Sequence, residues 1–557
     1  MNGLNEKDWE EGIAYVQSKL TDQVINEAVR QMPDVIYKLS GKEIARKLIA
    51  RRDVLKEQGL KYYRFVSEMV TVSTSEKREH FDITNLPDGK VSVKINKIKK
   101  DGKLEQVLYD RTFDPAVTGE VRLYGMGGPD VFAFHGEDNS PITVRMIGGD
   151  TKDSFMIDSN ITSRGNRYIY DIPGKKQKQV LPATNQARIN ITADTSLTNF
   201  HRLGFKYDFL QPLLLASYNK DYGVQFIGDF IFQEQGFGKT PYAFRQSLLV
   251  NYGFGTNSLL LNYTGDFKRA VANNDLVINV LNKGPNYTSD FFGIGNNTTF
   301  VNEGAKQIHY YRNVYNYLNA DVRLKHIYNK WTVSAGVAAQ YYNGDADDNT
   351  DRYLNDYNQQ HPTENVFSPE YYAGVVGAVA VDTRDKGVMP HKGIFWTTSL
   401  TGMQGLNSNS NTYGQIQSEF SFYTNPDKDS ILVIANRVGG GTTLGNAAYF
   451  NQLRLGGNQN LRGFYIGRFT GKSMVFDNIE LRLKLFDFAS YLLPGTLGVI
   501  GFNDIGRVWS PNESSTAWHD GYGGGFYFLP AQLIIVQAVV GFSKEGAYPY
   551  ISAGFRF

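Results

Sequence analysis

The chain has 557 residues and a formal net charge of +2, from 58 Lys and Arg against 56 Asp and Glu, so nothing in its charge balance favours a nucleic acid. It has no cysteine, which rules out disulfides and thiolate metal sites, and its mean hydropathy of −0.36 comes with no apolar run long enough for a transmembrane helix. The 35 Tyr, 35 Phe and 56 Gly leave open a membrane protein that crosses with strands, where every second side chain can be polar.

Residues 1–75 read as a helical region. Trp9, Ile13, Val16 and Leu20 recur at helix spacing. Thr21 and Asp22 are placed to cap a helix carrying Val24, Ile25, Ala28 and Val29 that stops near Pro33. Ser40 is placed to cap another, with Ile44, Leu48 and Leu55 on one side. Lys42, Arg46, Lys47, Arg51, Arg52 and Lys56 on its other face read first as a solvated surface, with anionic headgroups or a partner domain as the alternative. The stretch from Met1 to Gly12 lacks a basic start and an apolar core, so it is no secretory signal. The chain is therefore expected to be a mature form or a piece of a longer protein.

Residues 76–160 switch to short strands and contain a repeat. Val121-Arg122-Leu123-Tyr124-Gly125 is followed by Asp130 and Phe132, and Val144-Arg145-Met146-Ile147-Gly148 by Asp153 and Phe155, at the same spacing. Two stacked turn units explain the pattern, with Gly in the turn, Asp capping it and Phe packed below. Two copies are too few for a calcium-binding array, so no metal is expected. Residues 161–202 are polar and read as a linker.

From 203 to 557 the chain alternates with a period of two. Val224, Phe226, Gly228, Phe230 and Phe232 share one face, as do Ile479, Leu481, Leu483 and Leu485, with Glu480, Arg482 and Lys484 between the latter. The last segment puts Ile551, Ala553, Phe555 and Phe557 on one face and Ser552, Gly554 and Arg556 on the other. Sixteen such segments, an even number, predict an all-β transmembrane barrel of antiparallel strands with an N-terminal α+β region on the periplasmic side. The longest connections fall at about 285–308, 344–370 and 443–472, and are expected outside the cell.

The third of these carries Arg454-Leu455-Gly456-Gly457-Asn458-Gln459-Asn460-Leu461-Arg462-Gly463-Phe464. It resembles the lumen loop of the outer-membrane assembly and translocation barrels, the BamA/TamA-like or bacterial surface antigen superfamily. Gly501-Phe502-Asn503-Asp504-Ile505-Gly506, Asn478-Ile479-Glu480-Leu481-Arg482 and the turn Asp382-Thr383-Arg384-Asp385 with Pro390 and Gly393 resemble further segments of that family in the same order. The resemblance implies that Leu461, Arg462, Gly463 and Phe464 fold into the lumen and that Glu480 and Asp504 receive Arg462. It also implies that Phe555 and Phe557 form a terminal-strand recognition signal. Alternation alone already turns Glu480 inward, and an arginine docked between two carboxylates would form charge-assisted bonds.

Best-known members carry β-α-α-β-β POTRA modules, which residues 1–72 do not resemble. The segment Leu20–Tyr63, the Gly-Asp repeat and Phe291-Phe292-Gly293-Ile294-Gly295-Asn296-Asn297 look similar instead to the C-terminal part of proteins that fuse a calcineurin-like phosphoesterase to such a barrel. That enzyme family needs Asp-x-His and Gly-Asn-His segments, and neither is present. No Gly-x-Ser-x-Gly, phosphate loop or dinucleotide fingerprint exists either, so no catalytic residue, cofactor or enzyme activity is expected. The expected function is outer-membrane protein assembly or translocation in a Gram-negative outer membrane. The alternative is an anchor or narrow pore for a periplasmic phosphoesterase-like domain encoded upstream. Expected partners are outer-membrane lipid and lipopolysaccharide, with unfolded outer-membrane proteins as substrates and other assembly-machinery subunits beside them, and no nucleic acid. A seam between the first and last strands would receive substrate strands, and Pro212 suits such an edge because it cannot donate a backbone hydrogen bond.

Overall fold

The computed structural model describes residues 3–136, 139–149, 151–173, 180–202, 204, 206–301, 307–427, 431–489, 494–511, 513–531 and 533–553. They form two units, Met1–Phe205 and Lys206–Phe557.

The first unit opens with helices Glu6–Lys19, Asp22–Arg30, Lys42–Asp53 and Leu55–Ser67. Asn5 and Asp8 close a capping box on the first helix, and the Thr21 hydroxyl accepts the Val24 N–H at the second. Ser40 is not a cap. It lies in the π-helical turn Tyr37–Gly41 and donates to the Ile36 carbonyl, because Gly41 already has helical dihedrals and continues the helix unbroken. Four residues of the basic face are paired, Arg46 and Lys47 with Glu43, Arg52 with Asp22 and Asp53, and Lys56 with Glu10.

Ten strands follow: β1 (Met69–Ser73), β2 (Glu79–Asn85), β3 (Val91–Ile98), β4 (Leu104–Phe113), β5 (Glu120–Tyr124), β6 (Val131–Gly136), β7 (Thr143–Ile147), β8 (Ser154–Ile157), β9 (Arg167–Asp171) and β10 (Arg188–Ile191). They stack in two sheets, β1-β5-β7-β9-β10, which is parallel, and β4-β3-β2-β6-β8. Val121 pairs with Val144 and Val144 with Arg167, a constant step of 23 residues, so this is a β-solenoid rather than a row of separate turns. Two expectations are corrected. The helical region ends at Ser67, since β1 already belongs to the solenoid. The polar stretch 161–202 is not a linker, since β9 and β10 extend the parallel sheet by two rungs and Ile169 and Ala187 join its core.

The repeat builds two ladders inside the solenoid. Phe81, Phe132 and Phe155 stack with ring centroids 4.2 and 4.9 Å apart. Beside them Asp130 Oδ1 accepts the Glu79 N–H at 2.7 Å, and Asp153 Oδ1 accepts the Asp130 N–H at 2.8 Å. Glycine is needed at 125 and 148 for approach rather than for turning, because a Cβ there would lie 2.4 Å from Asp130 Oδ2 and 2.5 Å from Asp153 Oδ2.

Burial of these carboxyls raises their proton affinity, Asp130 up to about 9 and Asp153 up to about 6. A carboxyl whose folded value is raised keeps a proton that the unfolded chain releases at its ordinary value near 3.8. Its contribution therefore favours folding below that value and is lost as pH climbs toward 9. Asp130→Asn keeps an oxygen for the Glu79 N–H and removes the titration. Compared with the parent at each pH, it should slow amide exchange in β5, β7 and β9 at pH 8 and leave it nearly unchanged at pH 4. Equal protection at both pH values would refute the effect.

The second unit is a closed sixteen-stranded antiparallel barrel. Its first eight strands are β11 (Phe209–Asn219), β12 (Gly223–Gly236), β13 (Lys239–Gly253), β14 (Ser258–Val271), β15 (Asn274–Asp290), β16 (Arg312–Tyr328), β17 (Trp331–Gly344) and β18 (Glu370–Asp382). The next three are β19 (Gly393–Gly405), β20 (Tyr413–Thr424) and β21 (Leu432–Gly445). A hairpin of β22 (Leu453–Leu455) and β23 (Phe469–Gly471) lies inside the following loop. The wall resumes with β24 (Ser473–Phe488), β25 (Gly495–Trp509), β26 (His519–Pro530), β27 (Val536–Ser543) and β28 (Gly546–Ala553).

Alternation sorts the faces as expected. Val224, Phe226, Phe230 and Phe232 point out, as do Ile479, Leu481, Leu483 and Leu485, while Gln225, Gln233, Glu480 and Arg482 are buried inside. An outward belt of large apolar side chains on a closed ladder suits hydrocarbon rather than water. The long connections after β15, β17 and β21 all leave the same end of the barrel. β11 pairs with β12 along its whole length, but among the described residues its register with β28 is the single pair Tyr218 and Ile551.

Candidate functional site

The loop between β21 and β24 turns back into the barrel. Its entry is shaped by Gly456 and Gly457, whose φ angles of 137° and 71° suit glycine. Asn460 braces that bend, its Oδ1 accepting the Gly456 N–H at 2.8 Å and its Nδ2 donating to the Arg454 carbonyl at 3.0 Å. Leu453, Leu455, Leu461, Phe464 and Phe469 bury against Met474, Phe476 and Val508 of β24 and β25, giving the loop a core of its own. The His519 ring stacks on Phe469 at 3.6 Å.

At the tip, Arg462 is 1% exposed and fully engaged. Its Nε and Nη2 donate to the two oxygens of Asp504, each at 2.8 Å, and Nη1 donates to Glu480 Oε1 at 2.7 Å. Its backbone N–H adds a bond to Asp504 Oδ2 at 2.9 Å, and its guanidinium lies 3.5 Å from the centre of the Phe502 ring. Arg482 donates to the other Glu480 oxygen through Nε and Nη2, so two cations face two anions in a neutral set. The planar fork matches the Asp504 carboxylate in a way lysine could not. β24 and β25 are neighbours, which puts the inward Glu480 and Asp504 on one patch of wall.

Gly463 has φ of 91° and turns the chain after Arg462. The wall makes room for that turn with two glycines that sequence reasoning did not single out. A Cβ on Gly521 would lie 1.8 Å from the Arg462 carbonyl oxygen, and one on Gly541 would lie 2.7 Å from the Gly463 nitrogen. Gly521→Ala should therefore displace the tip at a cost of about 1–3 kcal/mol, the usual range for overpacking. Semi-native gels should show the folded barrel lost at a lower temperature, and an unchanged transition would mean the tip is not held there.

The same loop grips both sides of the seam. Toward β28, Gly463 N–H donates to the Tyr550 hydroxyl at 3.2 Å, and Arg468 donates to both Glu545 oxygens at 2.9 and 3.0 Å. Toward β11, the Ile466 N–H donates to Asp221 Oδ1 at 2.7 Å. Lys220 sits 4.3 Å from the centre of the Tyr548 ring and 5.3 Å from that of Tyr465. These partners lie far apart in sequence and only the closed barrel brings them together.

The turn residues form a separate group. Arg384 clasps Asp382 through Nε at 3.0 Å and Nη2 at 2.7 Å, and its guanidinium lies over Phe395. Asp385 accepts the N–H groups of His391 and Lys392, closing the β18–β19 connection at the barrel end opposite the long loops. None of the three bonds to Arg462. Phe555 and Phe557 lie outside the described residues.

Residues 285–529 match the family model described as the Omp85 superfamily domain. No curated protein matches the chain. Among solved structures, BamA from Haemophilus ducreyi lacking POTRA domains 1–3 is 13% identical with a TM-score of 0.47, over 72% of this chain and 86% of that one. CdiB from Acinetobacter baumannii is 13% identical with a TM-score of 0.39, over 63% and 60%, and CdiB from Escherichia coli is 12% identical with a TM-score of 0.41, over 63% and 68%.

Proposed function

We propose that this barrel, whose chain matches the Omp85 superfamily domain over residues 285–529, lies in the outer membrane and assembles or translocates outer-membrane proteins at the seam between β11 and β28. The observation that carries this reading is the lumen loop's grip on both sides of that seam, where Tyr218 and Ile551 are the one register pair among the described residues. A strand edge with few ladder bonds offers free N–H and C=O groups to an incoming strand. Pro212 on β11 suits an edge that opens, since it has no N–H to give. The loop, held in the lumen by Arg462, acts as a latch whose release lets the edges part while the rest of the ladder stays intact.

Unfolded outer-membrane proteins are the substrates in this reading, and other assembly subunits would meet the solenoid and helices on the periplasmic side. Phe555 and Phe557 serve as the chain's own insertion signal, and Asp382, Arg384 and Asp385 shape the turn that closes β18 and β19. Proteoliposomes of phospholipid containing the chain should fold an added urea-unfolded eight-stranded barrel at least about tenfold faster than empty liposomes do. Equal rates would sink the assembly reading.

A further inference from the structure

The first unit carries an apolar tip that its own packing does not use. Helix Asp22–Arg30 meets helix Lys42–Asp53 through Ile25, Val29 and Ala45, and Met32, Tyr37 and Ile44 pack against that small core. The turn between the two helices leaves Val35, Ile36 and Leu39 outside it, 70%, 43% and 80% exposed. No large apolar side chain among the described residues is more exposed than Leu39, the outward belt of the barrel included. The π-helical turn Tyr37–Gly41 helps set this division. A Cβ on Gly41 would lie 2.4 Å from the Tyr37 ring, so glycine there gives the ring its place while the neighbouring aliphatic side chains face outward.

Cations accompany the triplet. Lys38 stands three residues after Val35 and Lys42 three after Leu39, a spacing that makes neighbours on a helix surface, and Arg30 ends the preceding helix. None of these three cations has an ion pair among the described residues, whereas Arg46 and Lys47 one turn further on are engaged by Glu43. Asp34 is the one acidic residue from Arg30 to Lys42.

We propose that this tip docks on an anionic phospholipid surface, with Val35, Ile36 and Leu39 entering the acyl boundary and Arg30, Lys38 and Lys42 meeting the headgroup phosphates. Aliphatic side chains set among basic ones are the composition that settles into a bilayer interface. The lysine stems lie along the apolar surface while their ammonium groups reach the phosphates. A protein partner fits less well, because a stable interface takes about 800 Å² from each side, more than three side chains at a tip offer. The first unit ends at Phe205 and the first strand of the wall begins at Phe209, so the chain tethers the hairpin to the bilayer that the barrel spans. At the effective concentration this gives, an attachment too weak to recruit a free protein is enough to hold the hairpin at the lipid.

The test uses the full chain in vesicles. It has no cysteine, so Leu39→Cys accepts one environment-sensitive fluorophore, and Gln58→Cys on helix Leu55–Ser67 serves as the control. The vesicles are phosphatidylcholine with or without phosphatidylglycerol, with acyl chains brominated or plain. With phosphatidylglycerol present, the label at 39 should emit further to the blue and lose about half its intensity to brominated chains, and the control label should do neither. Lys38→Gln with Lys42→Gln should remove the dependence on phosphatidylglycerol, and Val35→Gln with Ile36→Gln should weaken the quenching. All four side chains lie outside the hairpin core, so the variants keep the fold. A blue shift that grows with the protein-to-lipid ratio and escapes quenching by bromine would mean that a second copy covers the tip. That result, a label at 39 left in water in every vesicle, quenching indifferent to phosphatidylglycerol, or equal quenching of both labels would overturn the proposal.

Discussion

Replacing Arg462 by alanine is expected to cost the docked loop about 3–5 kcal/mol, because it removes one of the two cations set against the buried Glu480 and Asp504 and leaves Arg482 on Glu480. The barrel ladder does not depend on the loop, so strand content should survive. Two readouts should move together: the heat-shift transition on semi-native gels should fall, and the pore should conduct more once the loop leaves the lumen. Arg462→Lys should be intermediate, since it keeps a charge but loses the fork that reaches both Asp504 oxygens. Pairing Arg462→Met with Asp504→Asn should cost less than the sum of the two, as expected where one change removes the charge the other strands. An alanine variant unchanged in both assays would sink the idea that the arginine holds the loop.

The barrel was legible because its constraint is local. A strand between lipid and lumen must alternate, so Ile479, Leu481 and Leu483 against Glu480 and Arg482 announce both the strand and the inward carboxylate. The solenoid was only half legible for the opposite reason. Its strands are four or five residues long where β9 and β10 run, and polar connections outweigh them, so 161–202 read as a linker until the register placed Arg167 beside Val144. Gly125 and Gly148 read as turn residues, because the sequence shows that glycine is required but not whether for its φ angle or for missing bulk. Gly521 and Gly541 were invisible, since their neighbours come from a loop and a strand elsewhere in the chain. The loop's grip on Asp221, Glu545 and Tyr550 was invisible too, because those bonds exist only after the barrel closes.

A cross-link over the seam should abolish assembly activity altogether. Tyr218 and Ile551 are the one described register pair between β11 and β28, and both point outward, at 36% and 44% exposure. Directly opposed residues on antiparallel strands have the Cα separation a disulfide needs. The parent has no cysteine, so Tyr218→Cys with Ile551→Cys introduces the only thiols. The oxidised protein should fold the added barrel no faster than empty liposomes do, and reduction should restore the rate. The control is Tyr522→Cys with Phe542→Cys, an outward pair between β26 and β27, which should form its disulfide and keep full activity. The comparison isolates the seam, because both disulfides stiffen the wall but only one ties together the two edges a substrate strand must enter. Full activity with the seam locked would mean that assembly proceeds elsewhere on the barrel, and the seam between β11 and β28 would then carry no function.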